Sequence, residues 1–186
     1  MQATALESLL DEIKKVTGDN NGRARVAISL VQLIPYDKGA SEKGHIRYPY
    51  EVLYTHTAVC SEKTKLLVYL LQELGFGTAI FKYYEEHHDA VGIQCPVEYS
   101  YMNSGYCYVE TTSLSMITDS EGYYVGRGEI TSTAEIIPMS QGASITDVRE
   151  DYNDLQEIKK IIQEEKGNLD DNVKLNELLR KYGFKD

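Results

Sequence analysis

The chain changes its hydrophobic period at Gly75. Before it, Leu66, Leu67, Leu70, Leu71 and Leu74 recur at helical spacing and mark a strongly apolar helix face behind Cys60, with Gly75 placed as the C-cap. After it, FGTAIFKYY (76–84) and HDAVGIQC (88–95) are rich in β-formers. PVEYSYMNSG (96–105) reads as a loop, YCYVETTS (106–113) as a third strand, GYYVGRG as a shorter one and AEIIPM as a last strand.

Helical patterns flank this β-rich middle. Leu6, Leu9, Leu10, Ile13 and Val16 predict a helix over 3–17, which GDNNG breaks. RARVAISLVQLI (23–34) predicts a second, ended before Pro35. A polar loop over 35–49 and a short turn at 50–54 follow. From residue 151 onward, DYNDLQEIKKIIQEE and NVKLNELLRKYG predict two acidic amphipathic helices, expected as a surface cover for the sheet. Helices at both ends of an antiparallel sheet indicate an α+β domain. With 186 residues, 42% of them hydrophobic, the chain reads as a single domain over 1–186, with a core at about 23–140 and a helical extension at about 151–183.

The formal net charge of −10 argues against nucleic acid as a partner, because phosphate binding needs clustered Lys and Arg. No run approaches the roughly 18 apolar residues that cross a bilayer. The first residues form an acidic amphipathic pattern unlike a signal peptide, so the chain given is expected to be soluble. Oligomeric state is not readable. No loop suited to regulatory calcium and no cofactor motif is found, so no cofactor is expected.

There are three cysteines. Pairing Cys95 with Cys107 would leave Cys60 as a single free thiol, though connectivity is not readable from sequence. A thiol reacts as its thiolate, which a helix N-terminus and a nearby imidazolium both favour. Cys60 has the first condition. EEHHDAVGIQC supplies a histidine at a strand start, and YCYVETT supplies Glu110 on the next strand. Strand parity puts His88 on one face with Ala90 and Gly92, small residues that leave room for an imidazole and a substrate. Glu110 faces away from Cys107 and Val109, so His88 and Glu110 can meet across the ladder.

This order resembles the transglutaminase-like, papain-like cysteine superfamily, and within it the microbial branch. YPYEVL (48–53), CSE (60–62), HDAVGI (88–93) and YVETT (108–112) match its motifs in sequence order, over roughly residues 25–130. The resemblance implies a helix-borne cysteine packed on an antiparallel sheet, with Cys60, His88 and Glu110 as a triad. Cys60 would attack a carbonyl carbon, His88 would carry the proton and Glu110 would orient His88. Gln32 matches the position of an oxyanion donor, with the Cys60 N–H as the second donor. Its competing reading is a plain polar helix residue. Glu stands where Asp is usual, and there is no Trp, which the animal transglutaminases use near the oxyanion. That difference argues against protein cross-linking.

The implied activity is cysteine-dependent amide hydrolysis or acyl transfer on a peptide or protein substrate. The alternative is a non-catalytic peptide- or protein-binding module on the same fold. The resemblance also fits an exported or membrane-anchored extracytoplasmic domain whose leader has been removed. Three bland readings compete: an inert core thiol at Cys60, a zinc site from His87, His88, Cys95 and Cys107, and a structural turn at Tyr48, Pro49 and Tyr50. Strand parity puts the two cysteines on the face away from His88, which disfavours zinc and permits a disulfide; no metal is expected. His87 is expected to be exposed, His56 a loop residue and His45 solvent-facing.

Overall fold

The computed structural model describes residues 2–39, 46–121, 123–124, 128–163 and 169–185, so His45 lies outside the described residues. Two N-terminal helices, α1 (Gln2–Val16) and α2 (Asn20–Leu33), pack through Leu6, Leu10, Ile13, Ala24, Ala27, Ile28 and Val31. Helix α2 begins inside the string expected to break the chain. Asp19 caps it, its carboxylate accepting the Gly22 N–H at 2.7 Å. The segment expected as a turn at 50–54 is a helix, α3 (Pro49–Thr55). Pro49 stands at its first position, and the Glu51 carboxylate reaches back to the Tyr48 N–H at 2.7 Å.

Helix α4 (Cys60–Glu73) ends as its leucine pattern predicts. Gly75, at φ 89°, closes it: its N–H bonds the Gln72 carbonyl, and the Phe76 N–H bonds that of Leu71. The left-handed backbone there favours glycine over any residue with a Cβ.

Strands β1 (Thr78–Tyr83), β2 (His88–Gln94) and β3 (Tyr106–Val109) follow, then a short hairpin of β4 (Tyr123–Tyr124) and β5 (Gly128–Glu129), then β6 (Glu135–Ser140). The main sheet is antiparallel, in the order β3-β2-β1-β6. Its two faces differ. Val91, Ile93, Cys95, Cys107 and Val109 join the helical core. Ala79, Phe81, Tyr83, Ala90, Tyr106 and Tyr108 form a second, tyrosine-rich cluster, to which Tyr101 and Ala134 add. The space at Gly92, expected to serve an imidazole and a substrate, is instead filled by neighbours. A Cβ there would stand 3.0 Å from the Phe81 ring and 3.1 Å from Ala79 and Tyr106.

The last helices, α5 (Arg149–Gln163) and α6 (Leu169–Lys181), bury Leu155, Ile158 and Leu178 with Met116 from the loop after β3. Arg25 of α2 holds α5 through Asp151 at 2.6 Å. They therefore cover that loop and the flank of α2. Among the described residues, no helix is long and apolar enough to cross a membrane.

Candidate active site

His88 is the first residue of β2, and Glu110 follows the last residue of β3. Val91 pairs with Val109, so the antiparallel register extended by one step sets Glu110 opposite Ala90, diagonal to His88. The side chains close that diagonal: His88 Nε2 lies 2.9 Å from Glu110 Oε2, and both residues are fully buried.

The YVETT string explains how a carboxylate survives there. Glu110 Oε1 accepts from the Thr111 N–H at 2.9 Å and from the Thr112 N–H and hydroxyl, both at 2.7 Å. Oε2 accepts from the Tyr108 hydroxyl at 2.9 Å as well as from His88. Burial opposes the anion. The hydrogen bond and charge of His88, with the Thr112 bonds, outweigh it and hold the carboxyl below its ordinary value.

Glu110 occupies one ring nitrogen of His88, and Nδ1 is the other. Burial opposes the imidazolium, but hydrogen bonding to Cys60 and to Glu110 pushes the ring up from 6.5 to about 9. The Tyr83 ring stands beside it, centroids 6.2 Å apart.

Cys60 opens α4 and is 6% exposed. Its Sγ lies 3.9 Å from the His87 carbonyl oxygen. Val59, the N-cap, has no polar side chain to occupy the first-turn N–H groups, and the helix's positive end lies at the thiol. The thiol sits at a cleft of ≈ 630 Å³ walled by Tyr36, Ile46, Tyr83, Tyr84 and Ile137. His87 is exposed on the cleft wall, and His56 caps α3 at φ 56° and lines a different pocket.

Gln32 is not placed as the expected oxyanion donor. Its amide nitrogen bonds the carbonyls of Glu110 at 2.9 Å and Ser115 at 3.1 Å, which leaves it no proton for the cleft. It ties α2 to the segment that carries Glu110.

Two charged residues beside Cys60 carry weight that residue types alone did not suggest. Glu62, the acid of the CSE string, is 1% exposed. It receives the Val59 N–H at 3.0 Å, the Arg47 N–H at 2.8 Å and the Arg47 guanidinium at 2.7 and 3.0 Å. Burial pushes its carboxyl up, and the Arg47 bonds more than reverse that. Arg47 also reaches Asp37 at 3.1 Å, so the clamp fastens the loop before α3 to the head of α4. Lys63 is fully buried, its ammonium donating to the carbonyls of Gln32 at 3.2 Å and Ile34 at 2.7 Å. Burial pulls it down to about 8, against the charge of Glu110. A basic residue one turn past the cysteine was the available signal.

Cys95 and Cys107 are joined by a disulfide, with Cα atoms 5.7 Å apart, and Cys60 is the free thiol. The zinc reading thereby loses both sulfur ligands. Among the described residues, no group of three or more His, Cys, Asp or Glu could hold a metal ion. No protein-family model matches the chain, and no curated protein matches it in sequence.

Proposed function

We propose that the protein catalyses thiol-dependent amide hydrolysis or acyl transfer through Cys60, His88 and Glu110, on the pattern of the transglutaminase-like, papain-like cysteine enzymes. One observation carries the reading. A buried histidine is held by a buried carboxylate through Nε2 at 2.9 Å, its charge sustained from the Cys60 side, beside a helix-head thiol at a cleft.

The chemistry follows from those positions. The Cys60 sulfur attacks the carbonyl carbon, and the oxygen gains its charge facing the amides at the head of α4. The His88 Nδ1 proton passes to the leaving nitrogen, the carbon–nitrogen bond breaks and a thioester remains. Water or an amine then attacks, Nδ1 takes its proton and the sulfur leaves with the bonding pair. Glu110 keeps the Nε2 proton throughout and is not itself protonated.

The test is alkylation of Cys60 by iodoacetamide across pH in wild type and His88→Ala. The expected result is a rate at about pH 6 that exceeds the variant's by about tenfold. An unreactive Cys60, or one indifferent to His88, would sink the reading. A peptide-binding module without turnover is the second reading, favoured by the 6% exposure of Cys60. It predicts that unreactive thiol together with peptide binding.

A further inference from the structure

We propose that the cleft at Cys60 selects substrates that present a carboxylate beside the scissile bond, with Lys65 and Lys82 as the receiving cations. This rests on the acyl-transfer reading of the same site.

The charge of the cleft runs against that of the chain. The protein carries a net −10, yet among the described residues the lining of this cleft holds Lys65 and Lys82 against Asp89, with Glu135, opposite Lys82 on β6, engaged by the Tyr84 hydroxyl at 2.6 Å. Lys65 is exposed on α4, a turn and a half past Cys60, and makes no hydrogen bond or ion pair among the described residues. Lys82 is 38% exposed and bonds Asp89, its partner across the ladder, at 3.0 Å. That bond uses one of three ammonium protons, and the ring of Tyr84 lies 5.7 Å away. Asp89 therefore orients Lys82 and leaves Lys65 as surplus positive charge.

The pair is fixed relative to the thiol. Thr64, on the same helix as Cys60, donates its hydroxyl to the Asp89 carbonyl at 3.1 Å, which holds the start of β2 against the first turns of α4. Lys82 and Asp89 occupy the register step next to Tyr83 and His88. The Lys82 ammonium, raised first by its bond to Asp89, also feels the Cys60 sulfur. Ile46, Ile80 and Ile137 add apolar surface to the cleft beside the two ammoniums. A neutral substrate would leave the Lys65 ammonium at the cleft without an anion to receive.

The test pairs a charged and a neutral probe of the same size. Iodoacetate and iodoacetamide alkylate the same sulfur, so the ratio of their rate constants divides out the thiol's own reactivity and reads the local potential. The long-range field of an anionic chain disfavours iodoacetate, so a ratio above that of the uncharged thiol N-acetylcysteine amide has a local source. The expected ratio exceeds the free thiol's. It falls about threefold in Lys65→Met and in Lys82→Met, and collapses in about 0.5 M salt. Lys14→Met removes the same charge from α1, outside the cleft, and is expected to leave the ratio alone.

A second measurement needs no reactive sulfur. The Cys60→Ala chain is titrated by NMR with a blocked Ala-Glu-Ala tripeptide and its Ala-Gln-Ala counterpart. About fivefold preference for the glutamate peptide, lost with Lys65→Met, is expected. A free-thiol ratio, or equal binding of the two peptides, overturns the proposal. A Cys60 inert to both reagents, with the glutamate preference intact, refutes the acyl-transfer reading and leaves the anionic ligand class standing.

Discussion

Replacing Glu110 by glutamine separates what the carboxylate does for the fold from what it does for His88. The new carbonyl oxygen can keep the three bonds that Oε1 now accepts, from Thr111 and Thr112 at 2.7 to 2.9 Å. The amide nitrogen then falls where Oε2 meets Tyr108 and His88, both at 2.9 Å. The Tyr108 hydroxyl can rotate to accept. A protonated Nε2 cannot, so His88 must lose that proton and sit neutral with its hydrogen on Nδ1. The rise of His88 from 6.5 to about 9 in the native protein corresponds, at about 1.4 kcal/mol per pH unit, to about 3 kcal/mol of stability. A raised folded-state pKa gives stability that is whole below about 6.5 and is lost as pH rises through about 9. Cys60 sustains part of that rise, so urea unfolding should find wild type more stable than Glu110→Gln at about pH 6 by about 3 kcal/mol at most, with the gap mostly closed by about pH 10. Lys63, lowered to about 8, adds a trend of the opposite sign, since its unfolded state binds the extra proton above that pH. That trend is steeper in Glu110→Gln, which loses the charge that holds Lys63 up, so it narrows the gap further as pH rises. A gap that does not change with pH, or a Gln variant as stable as wild type at about pH 6, would refute the charged His88–Glu110 pair.

Reducing the Cys95–Cys107 bond, which closes a loop of 12 residues, should lower stability by about 2 to 3 kcal/mol; calorimetry with and without dithiothreitol measures it, and mass spectrometry of the oxidised protein should find one alkylated cysteine. Gly92→Ala should cost about 1 to 3 kcal/mol, because its Cβ meets Phe81, Ala79 and Tyr106 at 3.0 to 3.1 Å in a filled sheet face; an unchanged urea midpoint would show that the face can yield. Arg47→Met leaves Glu62 buried without its cation, so about 3 kcal/mol should be lost, together with protection of the loop before α3 from proteolysis.

The helices with a long apolar period were legible because burial writes itself into spacing: the leucines of α4 all lie in the core or against it. Shorter elements were decided by bonds that spacing does not record. Helix α3 is seven residues long and depends on Pro49 and on Glu51 reaching back to Tyr48. The start of α2 depends on one Asp19 carboxylate. Parity alone put His88 and Glu110 on one face, and the register then closed a diagonal contact. It put Gly92 on that face too, but spacing carries no information about which neighbour fills a missing side chain, and Phe81 fills it. Gln32 was legible as a polar residue of α2 upstream of the thiol, and its burial was not. The direction of its amide, toward Glu110 and Ser115, depends on a loop whose path has no periodicity.

Four ionisable side chains near the head of α4 and the ends of β2 and β3 are 1% exposed or less: Glu62, Lys63, His88 and Glu110. Burying any of them costs free energy that apolar residues would not. Two are accounted for by what they fasten. Glu62 anchors the loop before α3 through Arg47, and Lys63 binds the end of α2 through two carbonyls. Such a fastening role does not account for His88, whose Nε2 is turned to the Glu110 carboxylate rather than to the backbone of another element. Glu110 Oε1 does satisfy two backbone N–H groups and the Thr112 hydroxyl, but a glutamine would accept those bonds without a charge. A carboxylate is needed at that point only where the proton on Nε2 has to stay. The fold thus bears the cost of two buried charges to keep an imidazole protonated and fixed beside a thiol, and strongly perturbed groups of this kind gather at sites of chemistry. The same reasoning sets Glu110→Gln apart from every fastening variant: it alone should remove the pH dependence at His88 while leaving the fold's own hydrogen bonds in place.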